Sequence, residues 1–146
     1  MFTVKRSVGR LFEARVFRLG TPADVDQYSQ TFAREVRGGT DLVLCADHRP
    51  VVIYPPAVAD RMVALFKAFN AHWVRVAVLV ARTNATLAMQ LQRIVRESRN
   101  PSRRVFFDAG EANRFLAELL DAEERARLTA FLEETPSAPS SSKDAR

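Results

Sequence analysis

Leu42-Val43-Leu44-Cys45-Ala46 is apolar at every position, which leaves an extended chain no face for water. A strand of that kind belongs inside a parallel sheet covered by helices on both faces. Val74-Arg75-Val76-Ala77-Val78-Leu79-Val80-Ala81 repeats the pattern further along. Between the two, Pro55-Pro56 opens a helix on which Val58, Met62, Leu65, Phe66 and Phe69 recur at helical spacing. Two inner strands joined through a helix form a right-handed crossover, and this unit sets the expected class, an α/β fold with an open and mostly parallel sheet.

Upstream, Thr21-Pro22-Ala23-Asp24 has the cap, proline and acid of a helix start; Val25, Tyr28, Phe32 and Val36 share one face, and Gly38-Gly39 ends the helix. Before it, Phe2 to Lys5 and Leu11 to Leu19 read as an antiparallel hairpin at a sheet edge. Glu13, Arg15 and Arg18 alternate with apolar neighbours, as a one-sided strand requires. Downstream, Thr83 or Asn84 caps a third helix carrying Leu87, Leu91, Ile94 and Val95, and Asn100-Pro101 stops it. Val105-Phe106-Phe107 is the last strand. Asp108 to Glu111 resembles a capping box before a fourth helix with Phe115, Leu116, Leu119 and Leu120. Asp121 to Glu124 begins a fifth, with Leu128, Phe131 and Leu132. The predicted order is β-β-α-β-α-β-α-β-α-α, in one domain over residues 1–134 whose extra C-terminal helix covers 121–134. Thr135 to Arg146, rich in serine, proline and alanine, is expected to be disordered.

Composition agrees with one globular domain: 146 residues, 47% hydrophobic and 27% charged. The longest purely apolar run, Val76 to Ala81, falls far below the roughly 18 residues of a membrane span. No secretion signal is visible, and Cys45 is the single cysteine, so no intrachain disulfide forms and a reducing cytoplasm is the expected compartment. The net charge of +5 is unevenly spread. From Arg61 to Phe107, nine basic residues stand against Glu97 alone, whereas Asp108 to Glu134 is predominantly acidic.

The opening hairpin running into Thr21-Pro22-Ala23-Asp24-Val25, and the stretch Arg104-Val105-Phe106-Phe107-Asp108-Ala109-Gly110-Glu111-Ala112, resemble the STAS (SpoIIAA-like) domain of bacterial anti-sigma-factor antagonists and sulphate-transporter ends. The likeness covers roughly Phe2 to Leu120 and implies a protein-binding module of signalling or regulation. The family's antagonists carry an Asp-Ser-Ser/Thr-Gly type motif at the start of the second helix, where a kinase phosphorylates the hydroxyl. Here that stretch is Ile53-Tyr54-Pro55-Pro56-Ala57-Val58, without serine or threonine, which argues against the usual phosphorylation switch.

No set of side chains completes a catalytic or metal site. His48 and Arg49 end an inner strand, where ligand-contacting residues of open α/β sheets gather, but a polar loop is the favoured reading because no second histidine or nearby nucleophile completes a catalytic pair. Cys45 in a central strand lacks the exposure and positive neighbour of a reactive thiol, and two histidines with one cysteine make no zinc set. No cofactor or metal is expected. Arg93, Arg96 and Arg99 on the third helix, followed by Arg103 and Arg104 in the loop after it, form a basic cluster suited to an anionic partner. Thr83 and Asn84 offer a weaker anion site at a helix start. Tyr54, at the entry to the second helix, and Leu128, Phe131 and Leu132, on the extra helix, complete the candidate partner contacts. The sequence thus points to a noncatalytic module that binds another protein, with homodimerisation open. Its alternative is an anionic ligand, nucleic acid or lipid headgroup, on the Arg93–Arg104 cluster; nucleic acid is disfavoured because no exposed aromatic platform or reading helix accompanies the charge.

Overall fold

A computed structural model describes residues 1–134, so the expectation for Thr135 to Arg146 lies outside the described residues. Five strands, β1 (Phe2–Val8), β2 (Leu11–Val16), β3 (Leu42–Asp47), β4 (Trp73–Leu79) and β5 (Arg103–Phe106), form one sheet in the order β1-β2-β3-β4-β5. The first pair is antiparallel and the remaining pairs are parallel. The helices are α1 (Pro22–Val36), α2 (Pro56–Ala68), α3 (Ala85–Ser98), α4 (Ala109–Ala117) and α5 (Ala122–Glu133). The element order is the one predicted. Among the described residues no helix is long and apolar enough to cross a membrane.

The three crossovers β2-α1-β3, β3-α2-β4 and β4-α3-β5 advance across the sheet in one direction, so a common hand puts α1, α2 and α3 on one face. Alternation along the strands then sorts the core. Phe12, Ala14, Leu44, Ala46, Val76 and Val78 pack under those helices, whereas Leu11, Val43, Cys45, Ala77 and Leu79 meet α4 and α5. Helix starts follow the local chemistry: Thr21 with Asp24 and Asp121 with Glu124 form complete capping boxes, and Asp108 accepts from the Gly110 amide.

Two expectations change here. β2 ends at Val16 and is not a one-sided edge strand, because all six of its residues are buried and β1 takes the edge. Glu13 and Arg15 face α5, which supplies Arg127 to Glu13 (2.5 and 2.8 Å) and the Phe131 carbonyl to Arg15 (2.9 Å). Secondly, Leu128, Phe131 and Leu132 are buried against the chain's own sheet, so they are core residues and not a partner surface. Gly9 helps to seat α5: its φ of +54° favours glycine, and the Glu124 carboxylate occupies the space a Cβ would need. That carboxylate also accepts from the Arg10 amide.

Candidate functional site

The carboxyl ends of the parallel strands feed the starts of α1 to α4, and the longest of these connections runs from His48 to Pro55. Its conformation follows from a few side chains. Pro55 and Pro56 fix the entry to α2 and hold Tyr54 extended. Asn84 performs two tasks at once: its Oδ1 caps α3 by accepting from the Leu87 amide (3.0 Å), and its Nδ2 donates to the Val51 and Val52 carbonyls (3.2 and 2.8 Å). Gln90 pairs with Tyr54 as a neighbouring strand would, accepting from its amide (3.0 Å) and donating to its carbonyl (2.7 Å). Val51 and Tyr54 consequently turn inward, while Val52 and Ile53 point out at 78% and 52% exposure.

This loop stands in an apolar neighbourhood. The large hydrophobic residues exposed among the described ones are Met1, Val52, Ile53, Met89 and Phe107. Val52 and Ile53 stand on the loop, Met1 before β1 and Phe107 after β5 lie at the carboxyl edge of the outer strands, and Met89 lies in the second turn of α3. The Met1 carbonyl accepts from the Phe17 amide after β2, Met89 adjoins the Gln90 clamp, and Phe107 directly follows β5. A groove of about 380 Å3 runs beside the loop, lined chiefly by Phe17, Leu19, Val51, Val52, Ile53 and Pro55, with Arg18 on its wall. Exposed Arg82 lies on the adjoining β4–α3 connection, 3.8 Å from Asp108.

The residues singled out at the strand end have internal partners. His48 is buried, contrary to a polar loop, and shares a 2.8 Å hydrogen bond with the hydroxyl of Tyr54, itself buried and unavailable to a partner. Nε2 of His48 has no partner among the described residues, and the ring lines a small cavity of about 20 Å3. Arg49 is committed inward, to Asp47 (2.9 and 3.0 Å) and to the Leu132 carbonyl at the end of α5 (3.2 Å). Cys45 faces α4 and α5, whereas His48 lies on the α1–α3 side, so thiol and imidazole are separated by the sheet. Burial, reinforced by the charge of Asp47, pushes the Cys45 thiol far up. His72 bonds to the Gly39 carbonyl (2.6 Å). Among the described residues no group of three His, Cys, Asp or Glu is arranged to hold a metal.

Burial lowers the His48 pKa from 6.5 to about 4, against a smaller opposing pull from Asp47. An imidazole that is harder to protonate when folded contributes stability that is complete above pH 6.5 and is lost as pH falls toward 4, because only the unfolded chain takes up the proton. The shift of 6.5 to about 4 corresponds to about 3 kcal/mol. Urea unfolding at pH 7.5 and pH 4.5 is therefore expected to differ by that order in the wild type and much less in His48→Leu/Tyr54→Phe, which removes the imidazole together with the hydroxyl it satisfies. Equal pH dependence in both proteins would exclude His48 as the source.

The five arginines of the cluster do not all form one patch: Arg96, Arg99 and Arg103 line a common groove, and Arg93 and Arg104 do not. Arg93 is paired with Asp60 (3.0 Å) and Glu97 (2.9 Å). Arg103 is not in a solvated loop: it opens β5, is buried, and bonds to Asn70 and Ser98, because the strand starts two residues before Val105. Arg104 alternates to the opposite face and lies over Phe115 at 4.9 Å. Arg96 and Arg99 stay exposed. Thr83 is exposed in a turn, and Asn84 spends its side chain on the cap and the clamp, which explains that helix start without an anion.

Sequence reasoning missed Val52, Ile53, Met89 and Phe107 as surface residues. The signal was present for two elements: Val51-Val52-Ile53 is an apolar triplet between prolines, outside any helical or strand period, and Met89 falls off the stripe of Leu87, Leu91 and Ile94. No family model, curated protein or solved structure matches the chain.

Proposed function

We propose that the chain is a noncatalytic protein-binding module, a scaffold or regulatory component, that seats a partner on the carboxyl edge of its sheet. The observation that carries this reading is the exposure of Val52 and Ile53 on the wall of an apolar groove at the carboxyl edge, on a loop held in place by Asn84 and Gln90. Two adjacent exposed β-branched side chains beside an apolar groove mark an interaction surface. A rigid loop also loses little conformational entropy on binding. The partner is an apolar segment flanked by an acidic residue, matching the exposed Arg18 on the groove wall.

The same reading takes the chain as STAS-like, on the order of its elements and the segments quoted above. Its departure from the phosphorylated antagonists is then specific: in the stretch where they present a serine or threonine hydroxyl, this chain has Ile53 to Val58, with exposed Ile53 at its start and the Tyr54 hydroxyl buried. Burial of the Tyr54 hydroxyl is in keeping with a surface that is constitutive and not switched.

Val52→Asp/Ile53→Asp is expected to abolish capture of one discrete partner protein from native lysate at moderate salt. Its unfolding free energy is expected to stay within about 0.5 kcal/mol of wild type, since neither side chain is buried. Retention of the same partner by the double variant would overturn the assignment, and light scattering that showed the variant monomeric and the wild type dimeric would assign the edge to self-association instead.

A further inference from the structure

We propose that the opposite, amino edge of the sheet carries an anion site, a groove between the last turn of α3 and the start of β5 that takes a phosphate-bearing ligand on Arg96, Arg99 and Arg103. The groove measures about 380 Å3 and is lined by Val95, Arg96, Arg99, Asn100, Pro101 and Arg103. It is independent of the docking edge, since α3 separates it from Asn84 and the Val52–Ile53 loop.

Arg103 sets this groove apart from an ordinary basic surface. It is 4% exposed, yet it has no ion pair among the described residues. Its Nη1 donates to neutral groups only, Asn70 Oδ1 (2.8 Å) and Ser98 Oγ (3.1 Å), and its guanidinium lies over the Phe66 ring at 4.5 Å. The other deeply buried charges in the sheet are matched: Arg15 meets Asp47 at 2.8 Å and Glu13 meets Arg127 at 2.5 Å. A buried cation without a counter-charge is costly, and burial accordingly lowers the Arg103 pKa to about 10. Guanidinium has five donors, and no partner among the described residues takes those of Nε and Nη2. The side chains of Arg96 and Arg99 are likewise without hydrogen bonds or ion pairs among the described residues, and Arg99 is held at the groove by the left-handed cap of α3.

Three guanidiniums and no carboxylate call for more negative charge than one carboxylate supplies, and the planar fork of arginine matches phosphate oxygens bidentately. A nucleic acid strand needs a longer basic track with stacking platforms. The neighbouring cations do not extend one, since Arg93 is neutralised and Arg104 faces the other side of the sheet.

The test uses the full chain with three probes: inorganic pyrophosphate by calorimetry, phosphatidylcholine vesicles with and without phosphatidylinositol phosphate by flotation, and a labelled single-stranded oligonucleotide. The expected result is saturable pyrophosphate binding, or flotation only with the phosphoinositide, weakened at least tenfold in Arg96→Glu/Arg99→Glu. Both positions are exposed, so the variant stays folded, with only the small fall in melting temperature that acids at the negative end of α3 bring. Pyrophosphate binding assigns a soluble ligand and selective flotation a headgroup. Absence of both, binding untouched by the double substitution, or oligonucleotide binding where pyrophosphate has none overturns the proposal.

Discussion

A chain ended after Leu120 is expected to lose cooperative folding. Without α5, the buried side chains of Leu128, Phe131 and Leu132 leave the face formed by Leu11, Val43, Cys45, Ala77 and Leu79. Burying a side chain of this size contributes about 1.5–3 kcal/mol, so the three together approach the ~5–15 kcal/mol by which a domain is stable. The electrostatic loss adds to this. Arg15 is left without the Phe131 carbonyl and the Glu134 carboxylate, and buried Glu13 without Arg127. Near-ultraviolet circular dichroism and urea titration check the outcome: no sharp transition is expected for residues 1–120, and a sigmoidal transition near the wild-type midpoint would show α5 to be an accessory.

The second large effect belongs to Asp47, whose carboxylate accepts from Arg15 at 2.8 Å and from Arg49 at 2.9 and 3.0 Å. Burial raises its pKa, but the hydrogen bonds from Arg49 and Arg15 outweigh burial and hold the carboxyl below its usual range. Those same guanidiniums close the end of α5 by donating to the carbonyls of Phe131 and Leu132. Asp47→Ala therefore leaves buried Arg15 with only the half-exposed Glu134 carboxylate, at 3.2 Å, a change that costs about 2–3 kcal/mol, below the full penalty of an unpaired buried charge. A carboxyl with a depressed folded pKa contributes stability that is complete above its unfolded value and lost as pH falls through the folded one. The substitution is thus expected to lower the urea midpoint at neutral pH and to flatten the acid decline below about pH 4. A loss under about 1 kcal/mol at pH 7 would mean that α5 holds its place by apolar packing alone.

The fold was legible because its crossover units announce themselves locally. Apolar runs at Leu42 and Val76, prolines before Val58, and caps at Thr21 and Asp121 each depend on residues near in sequence. Strand order was not legible, since hydrophobic runs say that a strand is buried and nothing about its neighbour. Glu13 and Arg15 misled for a related reason. Alternating charges read as a wet face unless their partners are known, and those partners, Arg127 and Asp47, lie far along the chain. The arginine cluster divides, with Arg96, Arg99 and Arg103 at one groove, because β5 begins at Arg103 and alternation along it sends Arg103 inward and Arg104 to the opposite face. Exposure of Val52 and Ile53 was hidden by the opposite effect: β-branched apolar residues are expected inside, and only the clamps from Asn84 and Gln90 keep this pair out.

The proposed partner lies across the carboxyl ends of the parallel strands. Amide hydrogen exchange on the chain alone and in complex with the protein it captures reads this directly. The predicted result is slowed exchange confined to residues 17–20, 51–57 and 107–108, with α5 unchanged. Protection of residues 122–133 or 93–104, with the 51–57 loop exchanging as in the free chain, would contradict it.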